Sequence, residues 1–143
     1  MQNKLKCILL VDDDEGTNFY NEIIIDRAGI ANHVEITLNG KEALEYISYN
    51  GENNENITIH PKPVLILLDI NMPVMDGWEF LDAFQKLKDK HKGESIIVML
   101  TTSSNKDDRK RASEILEVAD FVNKPLSAKT LNEIMEKHFP NYH

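Results

Sequence analysis

Acidic side chains follow two of the short apolar runs in this chain. Asp12 and Asp13 come directly after the run that ends at Val11, and Asp69 comes directly after the run that ends at Leu68. Carboxylates that lie close together repel one another, and a hard divalent cation such as Mg²⁺ removes that repulsion. The sequence therefore predicts a magnesium site, with Asp13 and Asp69 as direct ligands and Asp12 as a ligand through water.

The first acidic cluster, 12–15, has a second explanation. Acidic residues at the start of a helix are favoured by the helix dipole, and this accounts best for Asp14 and Glu15. Asp69 is different, because it ends a run of five apolar residues, where a buried carboxylate without a partner would be costly. An aspartate beside Mg²⁺ is also a potential nucleophile toward phosphorus.

A hydroxyl and a lysine follow two later apolar runs. Thr101 follows residues 96–100, and Lys124 lies two residues after residues 121–122. Thr101 could donate a hydrogen bond to a phosphoryl oxygen, and Lys124 could supply a second positive charge. The alternatives are a strand-end hydroxyl bonded to the backbone and a solvated surface lysine. Pro125 indicates a constrained peptide bond, with a cis bond as one option.

The elements that must position these side chains alternate along the chain. Nearly continuous apolar runs are typical of strands buried on both faces of a parallel sheet. They cover residues 7–11, 64–68, 96–100 and the shorter 121–122, with a weaker candidate at 33–37. Helical spacing predicts helices over 16–29, 41–49, from Asp76-Gly77 onward, over 106–118 and over 127–138. This alternation predicts an open parallel sheet with helices on both faces, and ligands bind beyond the carboxyl ends of its strands.

Individual helix positions follow from the same spacing. In the first helix, Phe19, Ile23 and Ile24 supply the apolar spacing, and Gly29 is the predicted stop. In the fourth helix, the residues expected to face inward are Ala112, Ile115 and Leu116. The last helix is expected to begin after an N-cap at Ser127 and to bury Leu131, Ile134 and Met135.

Length and charge limit the function further. The 143 residues indicate one domain, 1–143, with a long surface loop at 48–63 and a tail at 139–143. With 16 Lys+Arg and 24 Asp+Glu the net charge is −8, which argues against nucleic-acid binding. No apolar stretch approaches the ~18 residues of a membrane span. The single cysteine, Cys7, excludes an internal disulfide, and we expect a cytoplasmic protein.

The order of these motifs resembles the response-regulator receiver domain of two-component signalling. The matching segments are ILLVDDD (8–14), LILLDINMPVMDGWEF (65–80), IIVMLTTSS (96–104) and FVNKP (121–125). The TTSS segment and the long loop are more similar to the single-domain, phytochrome-associated type. The resemblance implies a flavodoxin-like (βα)5 fold, a three-layer sandwich whose five-stranded parallel sheet has the strand order 2-1-3-4-5.

The resemblance also implies a phosphoacceptor site. Asp69 would take a phosphoryl group from the phosphohistidine of a sensor histidine kinase or phosphotransfer protein. Asp12, Asp13 and Asp69 would hold the Mg²⁺ cofactor together with the backbone carbonyl of Asn71. Asn71 and Ser103 occupy positions that tune the lifetime of the aspartyl phosphate in the family.

Other residues would sense the phosphoryl group or shape the site. Thr101 would be the switch hydroxyl, Lys124 would contact a phosphoryl oxygen, and Phe121 would be the switch aromatic that rotates inward on activation. The family often has Tyr at this last position, so any hydrogen bond of that hydroxyl is lost. The structural positions are Pro73 and Gly77 in the turn after the third strand, and Pro125 after Lys124.

The expected output is protein contact. The face of the fourth helix, fifth strand and fifth helix would change shape and bind an unidentified downstream protein or a second copy of the chain, and no enzymatic turnover is expected. One alternative is a receiver-like interaction module that never takes phosphate. Another is an aspartate-nucleophile phosphatase acting through Asp12. Its motif D-x-D-x-[TV] fails here, because Gly16 stands at the last position and Thr17 follows one residue late.

Overall fold

The computed structural model describes residues 4–48, 61–87, 92–102 and 105–142. Most of the predicted 48–63 loop and Ser103 lie outside the described residues. Within the described part, strands and helices alternate from the first element to the last. Their bounds are β1 Ile8–Val11, α1 Glu15–Ala28, β2 Val34–Thr37, α2 Gly40–Ser48, β3 Leu65–Leu68, α3 Gly77–Gln85, β4 Ile96–Thr101, α4 Lys106–Ser113, β5 Val118–Asn123 and α5 Ala128–His138.

The strands form one parallel sheet in the order β2-β1-β3-β4-β5. This confirms the predicted fold class and strand order. The chain leaves β1 toward β2 on one side and returns to β3 on the other, so the connections diverge at the carboxyl ends of β1 and β3. Val11 lies beside Leu68 in this register, and the residues that follow these two strands therefore leave the sheet side by side.

Both faces of the sheet are covered, which explains why the strand sequences are continuously apolar. Leu9 points into a core formed with α2 and α3, where it joins Phe80. Leu10 points into a second core formed with α1 and α5, where it joins Ile25 and Leu131. Successive residues of a strand point to opposite faces, so β1, β3, β4 and β5 contribute to both cores, while β2 contributes to the second one.

Helix α1 begins and ends as its sequence predicts. The Asp14 side chain accepts a hydrogen bond from the Thr17 backbone N–H at 3.1 Å, which is N-capping. Gly29 follows the helix with φ of 65°, a left-handed conformation that glycine adopts without steric cost. The apolar spacing misplaced the inner face, however, because Phe19 is exposed and the buried face carries Asn18, Asn21 and Ile25.

The fourth helix and fifth strand differ from the prediction. Helix α4 ends at Ser113 instead of residue 118, and β5 begins at Val118 instead of residue 121. Leu116 was expected to face inward, but it lies in the turn between them and is 94% exposed. The physical reason is that β5 pairs with β4 from Val118 onward, and these tertiary hydrogen bonds end the helix earlier than its spacing suggests.

Within the described residues, no helix is long and apolar enough to cross a membrane.

Candidate functional site

The acidic residues of the site come from the ends of β1 and β3. The Asp12 backbone N–H donates to the Thr37 carbonyl at 3.1 Å, and that of Asp69 donates to the Val11 carbonyl at 2.9 Å. Asp12 and Asp69 are buried, at 5% and 8% exposure, whereas Asp13 is exposed. One carboxylate oxygen from each of the three lies within 4.8 Å of the others. The structure thus brings together the acids that the sequence singled out.

Lys124 enters the same cluster from the loop after β5. Its Nζ donates to Asp12 Oδ2 at 2.6 Å and lies 3.4 Å from Asp69 Oδ1. Its backbone N–H donates to the Thr101 carbonyl at 2.8 Å, and the Lys124–Pro125 peptide bond is cis. Lys124 is therefore an ion-paired, partly buried residue, and the alternative of a solvated surface lysine is wrong.

The charges in this cluster act on one another. Burial raises the pKa of the Asp69 carboxyl above its usual range, and the nearby charge of Asp12 raises it further, while Lys124 partly opposes both effects. Burial alone would lower the pKa of Lys124. Its hydrogen bond and charge contact with Asp12, together with the charge of Asp69, more than reverse this and raise it. The ammonium thus stays charged between two acids that repel each other.

The oxygen donors fit a hard cation such as Mg²⁺. Carboxylates of this kind, gathered at one rim, are the ligands that Mg²⁺ prefers. Asp12 accepts the Asp14 backbone N–H at Oδ1 and Lys124 at Oδ2, so both of its oxygens already have a donor. Asp69 Oδ1 likewise accepts the Ile70 backbone N–H at 2.9 Å, and which of the three acids would bind a cation directly stays a prediction. The exposed Asn71 follows Asp69 by two residues.

A tight turn after β3 fixes the Asp69 backbone. The Gly77 N–H donates to the Ile70 carbonyl at 2.8 Å. A Cβ at Gly77 would lie 2.6 Å from the Asp69 carbonyl oxygen and 2.9 Å from Ile70 Cα, so only glycine allows this approach. Before it, the Pro73 carbonyl accepts the Met75 N–H at 2.7 Å. Gly77, one of the turn residues predicted as structural, therefore lies directly against the Asp69 backbone.

Thr101 is the last residue of β4 and is fully buried. It lies opposite Asn123 of β5, one residue before Lys124. The backbone link between Thr101 and Lys124 holds the ends of β4 and β5 together beside Asp69. The hydroxyl and the ammonium that the sequence placed at one rim are thus carried by neighbouring strands.

Comparison with known proteins identifies the family. The family model of the response regulator receiver domain matches residues 8–136. The chain belongs to this family. Response regulator Rcp1 of Synechocystis sp. is 31% identical over 94% of this chain and 86% of its own length.

Solved structures of receiver proteins have the same fold. A two component response regulator from Cytophaga hutchinsonii superposes with a TM-score of 0.80 at 31% identity, covering 94% of this chain and 97% of that chain. The bacteriophytochrome response regulator AtBRR has a TM-score of 0.76 at 28% identity, covering 98% and 96%. The resemblance to receiver domains seen in the motifs is confirmed. The structures similar to this chain include bacteriophytochrome response regulators.

The receiver's predicted switch aromatic, Phe121, lies inward in this structure. It is 8% exposed and belongs to the core on the α2 and α3 side of the sheet. Arg109 of α4 covers its ring, with the guanidinium carbon 4.8 Å from the ring centroid. Arg109 Nη1 also donates to the Phe121 carbonyl at 3.3 Å.

Two residues near the site escaped the sequence analysis. Asn18 Nδ2 donates to the Asp12 carbonyl at 2.8 Å, and the signal for it was a polar residue spaced with Asn21 and Ile25 on one helix face. Arg109 gave no such signal, because it is one of several basic residues in a polar helix. Ser103 is a predicted site residue outside the described part of the chain.

Proposed function

We propose that this protein is a response regulator of the cytoplasm, a magnesium-dependent phosphoacceptor that receives its phosphoryl group from a sensor histidine kinase or phosphotransfer protein. The observation that carries the proposal is the contact of one lysine ammonium with two buried carboxylates. Lys124 lies between Asp12 and Asp69, and the exposed Asp13 completes an oxygen cluster within 4.8 Å. The family membership of the chain supports the same function.

The reaction transfers a phosphoryl group without net hydrolysis. An Asp69 carboxylate oxygen forms a bond to phosphorus while the bond from phosphorus to the donor's histidine nitrogen breaks, and the nitrogen keeps that electron pair. Mg²⁺, when bound by Asp13 and Asp69 and through water by Asp12, would supply positive charge to the phosphoryl oxygens. The Asn71 carbonyl is the proposed fourth contributor.

Lys124 and Thr101 would bind the product. Lys124 already lies 3.4 Å from Asp69 Oδ1, so its ammonium would move only a short way to contact a phosphoryl oxygen. The Thr101 hydroxyl would donate to another oxygen. We propose that these shifts, with the position of Phe121, alter the face of α4, β5 and α5, to which a downstream protein or a second copy binds. Asn71 and Ser103 would set the lifetime of the phosphoryl group.

The test is the intact mass of the protein after incubation with Mg²⁺ and acetyl phosphate. We expect one phosphoryl adduct that requires Mg²⁺, disappears with a chelator and disappears in Asp69→Asn. Asp82→Asn is the matched control, because Asp82 is an exposed carboxylate on α3 that pairs with Lys86, and it should keep the adduct.

Two outcomes would contradict the proposal. Failure of the wild type to form an adduct under any condition would favour a module that acts without phosphate. Catalytic consumption of the donor that survives Asp69→Asn but stops in Asp12→Asn would favour a phosphatase with Asp12 as its nucleophile.

A further inference from the structure

Helix α4 has almost no apolar face. Its sequence is KDDRKRAS, and Ala112 is its one buried residue. Most helices of such a fold are held by an apolar stripe against the sheet, as α5 is by Leu131, Ile134 and Met135. Ala112 alone offers α4 a small apolar contact, so polar side chains have room to contribute to where α4 lies.

Two arginines make such contacts, on opposite sides of the helix. Arg109 reaches β5, where it covers the Phe121 ring at 4.8 Å and donates to the Phe121 carbonyl at 3.3 Å. Arg111 reaches α3, where its guanidinium carbon lies 4.3 Å from the centroid of the Trp78 ring. Residues two apart on a helix do not share a face, so the two contacts hold α4 from both flanks.

The Phe121 backbone is held on both of its polar groups. Its N–H donates to Asp120 Oδ1 at 2.9 Å, and its carbonyl accepts from Arg109. Asp120 in turn accepts from His138 Nε2 at 3.1 Å and pairs with Lys137 at 3.3 Å, which connects β5 to α5. Arg109 connects α4 to β5 through the Phe121 carbonyl, and its guanidinium also lies over the Phe121 ring.

We propose that Arg109 is a positioning residue that keeps the Phe121 ring in its buried orientation and braces α4 against β5, while Arg111 anchors the other flank of α4 on Trp78. A guanidinium over an aromatic ring gives a stabilising cation–π contact, and its planar fork also donates hydrogen bonds. The two arginines thus supplement the small apolar contact that Ala112 makes with the core.

The first test is amide hydrogen exchange of the unphosphorylated protein. In Arg109→Gln, exchange across 105–123 should be about two- to fivefold faster than in the wild type, the factor that fits one exposed cation–π contact. Lys110→Gln is the matched control, because it removes one positive charge from the exposed surface of the same helix. Exchange in β1 should be unchanged in both variants.

Arg109→Lys separates positioning from general stability. Lysine keeps a cation near the ring but loses the planar fork, so its exchange should lie between wild type and Arg109→Gln. The proposal is wrong if Arg109→Gln matches Lys110→Gln, or if the acceleration extends equally to β1 and β3.

Trp78 reports on the second contact, because it is the only tryptophan of the chain. Removing the guanidinium from its ring in Arg111→Gln should change the emission maximum or intensity, whereas Lys110→Gln should leave both as in the wild type. Identical spectra for the wild type and Arg111→Gln would overturn the anchoring role of Arg111.

The effect on signalling rests on the proposed function. Because Arg109 already favours the buried ring, phosphorylation should protect residues 105–123 from exchange more strongly in Arg109→Gln than in the wild type. The intact mass of each sample shows whether Asp69 carries the adduct. A missing adduct would therefore count against the phosphoacceptor function, and equal protection in both fully modified proteins would count against the role of Arg109.

Discussion

The buried Asp69 carboxylate has a cost in stability. Burial and the neighbouring Asp12 raise its pKa, so the folded protein binds its proton more tightly than the unfolded chain does. By linkage, this residue lowers the free energy of unfolding as the pH rises from its ordinary pKa of 3.8 through its raised folded pKa. The cost is therefore larger at neutral pH than in acid.

Asp69→Asn should therefore stabilise the metal-free protein at pH 7. The neutral amide removes the repulsion with Asp12, and Lys124 keeps Asp12 as its partner. We expect the Tm in chelator to rise by a few degrees, since 1 kcal/mol corresponds to roughly 3–5 °C in a domain of this size. The gain should shrink as the pH approaches 4, and an unchanged or lower Tm at pH 7 would contradict this explanation.

Addition of Mg²⁺ should raise the Tm of the wild type more than that of Asp69→Asn. A cation that binds only the folded state raises its stability in proportion to the logarithm of its concentration. The wild type offers Asp13 and Asp69, so its Tm should rise between chelator and millimolar Mg²⁺. Asp69→Asn should rise less, and equal shifts in thermal melts of the two proteins would show that Asp69 is not a ligand.

Gly77 is required for space. Gly77→Ala would place a methyl group 2.6 Å from the Asp69 carbonyl oxygen, which backbone atoms can relieve only by moving the turn. We expect a loss of about 1–3 kcal/mol in denaturant unfolding. Gly16→Ala is the matched control, because its Cβ would meet nothing closer than Asp14 Oδ2 at 3.7 Å, and alanine favours the helix. Equal stabilities of the two variants would contradict the close approach.

Among the elements, α4 shows where sequence patterns stop being informative. The strands were predictable because both faces of the sheet are buried, which makes their runs apolar, and β1, β3 and β4 were placed within one residue of their observed ends. The segment after residue 113 contains Ile115 and Leu116 at a spacing that fits a helix, yet strand pairing of Val118 with Ile97 competes for the same chain. No local pattern reports the outcome of that competition.

The turn between α4 and β5 gives a direct check. Leu116→Gln should leave the free energy of unfolding within about 0.5 kcal/mol, because the side chain is 94% exposed. The neighbouring Ile115 packs against the core that includes Phe121. Ile115→Ala should therefore lower the free energy of unfolding by roughly 1–2 kcal/mol. Urea unfolding of both variants measures these changes. A large loss of stability in Leu116→Gln would indicate instead that the helix continues to residue 118 with Leu116 facing inward.

The site was predictable to the extent that strand ends define it. Asp12, Asp69, Thr101 and Lys124 were chosen because each follows an apolar run, and the parallel sheet brings such positions to one rim. The 2.6 Å contact between Lys124 and Asp12 joins residues 112 positions apart. Rules based on local residue spacing cannot predict a contact over such a sequence distance. The bracing by Arg109 also depends on the packing angle of a helix and was not predictable.

The whole molecule is organised as two cores that share one sheet. β1, β3, β4 and β5 alternate their side chains between the core on the α2 and α3 side and the core on the α1 and α5 side. The rim that carries Asp12 and Asp69 lies where this shared layer ends. A rearrangement at the rim can therefore affect helices on both faces through packed side chains.

Sharing of strands predicts that the two cores unfold together. Leu9→Ala and Leu10→Ala remove neighbouring, fully buried side chains of β1 from opposite cores, and each should cost about 2–5 kcal/mol. Trp78 packs on the Leu9 side, while far-ultraviolet circular dichroism reports all helices. For both variants we expect the fluorescence and dichroism transitions to coincide, as in a two-state domain. If Leu10→Ala shifted the dichroism midpoint but left the Trp78 midpoint in place, the faces would be independent, and a signal from Asp69 would then need a separate route to each.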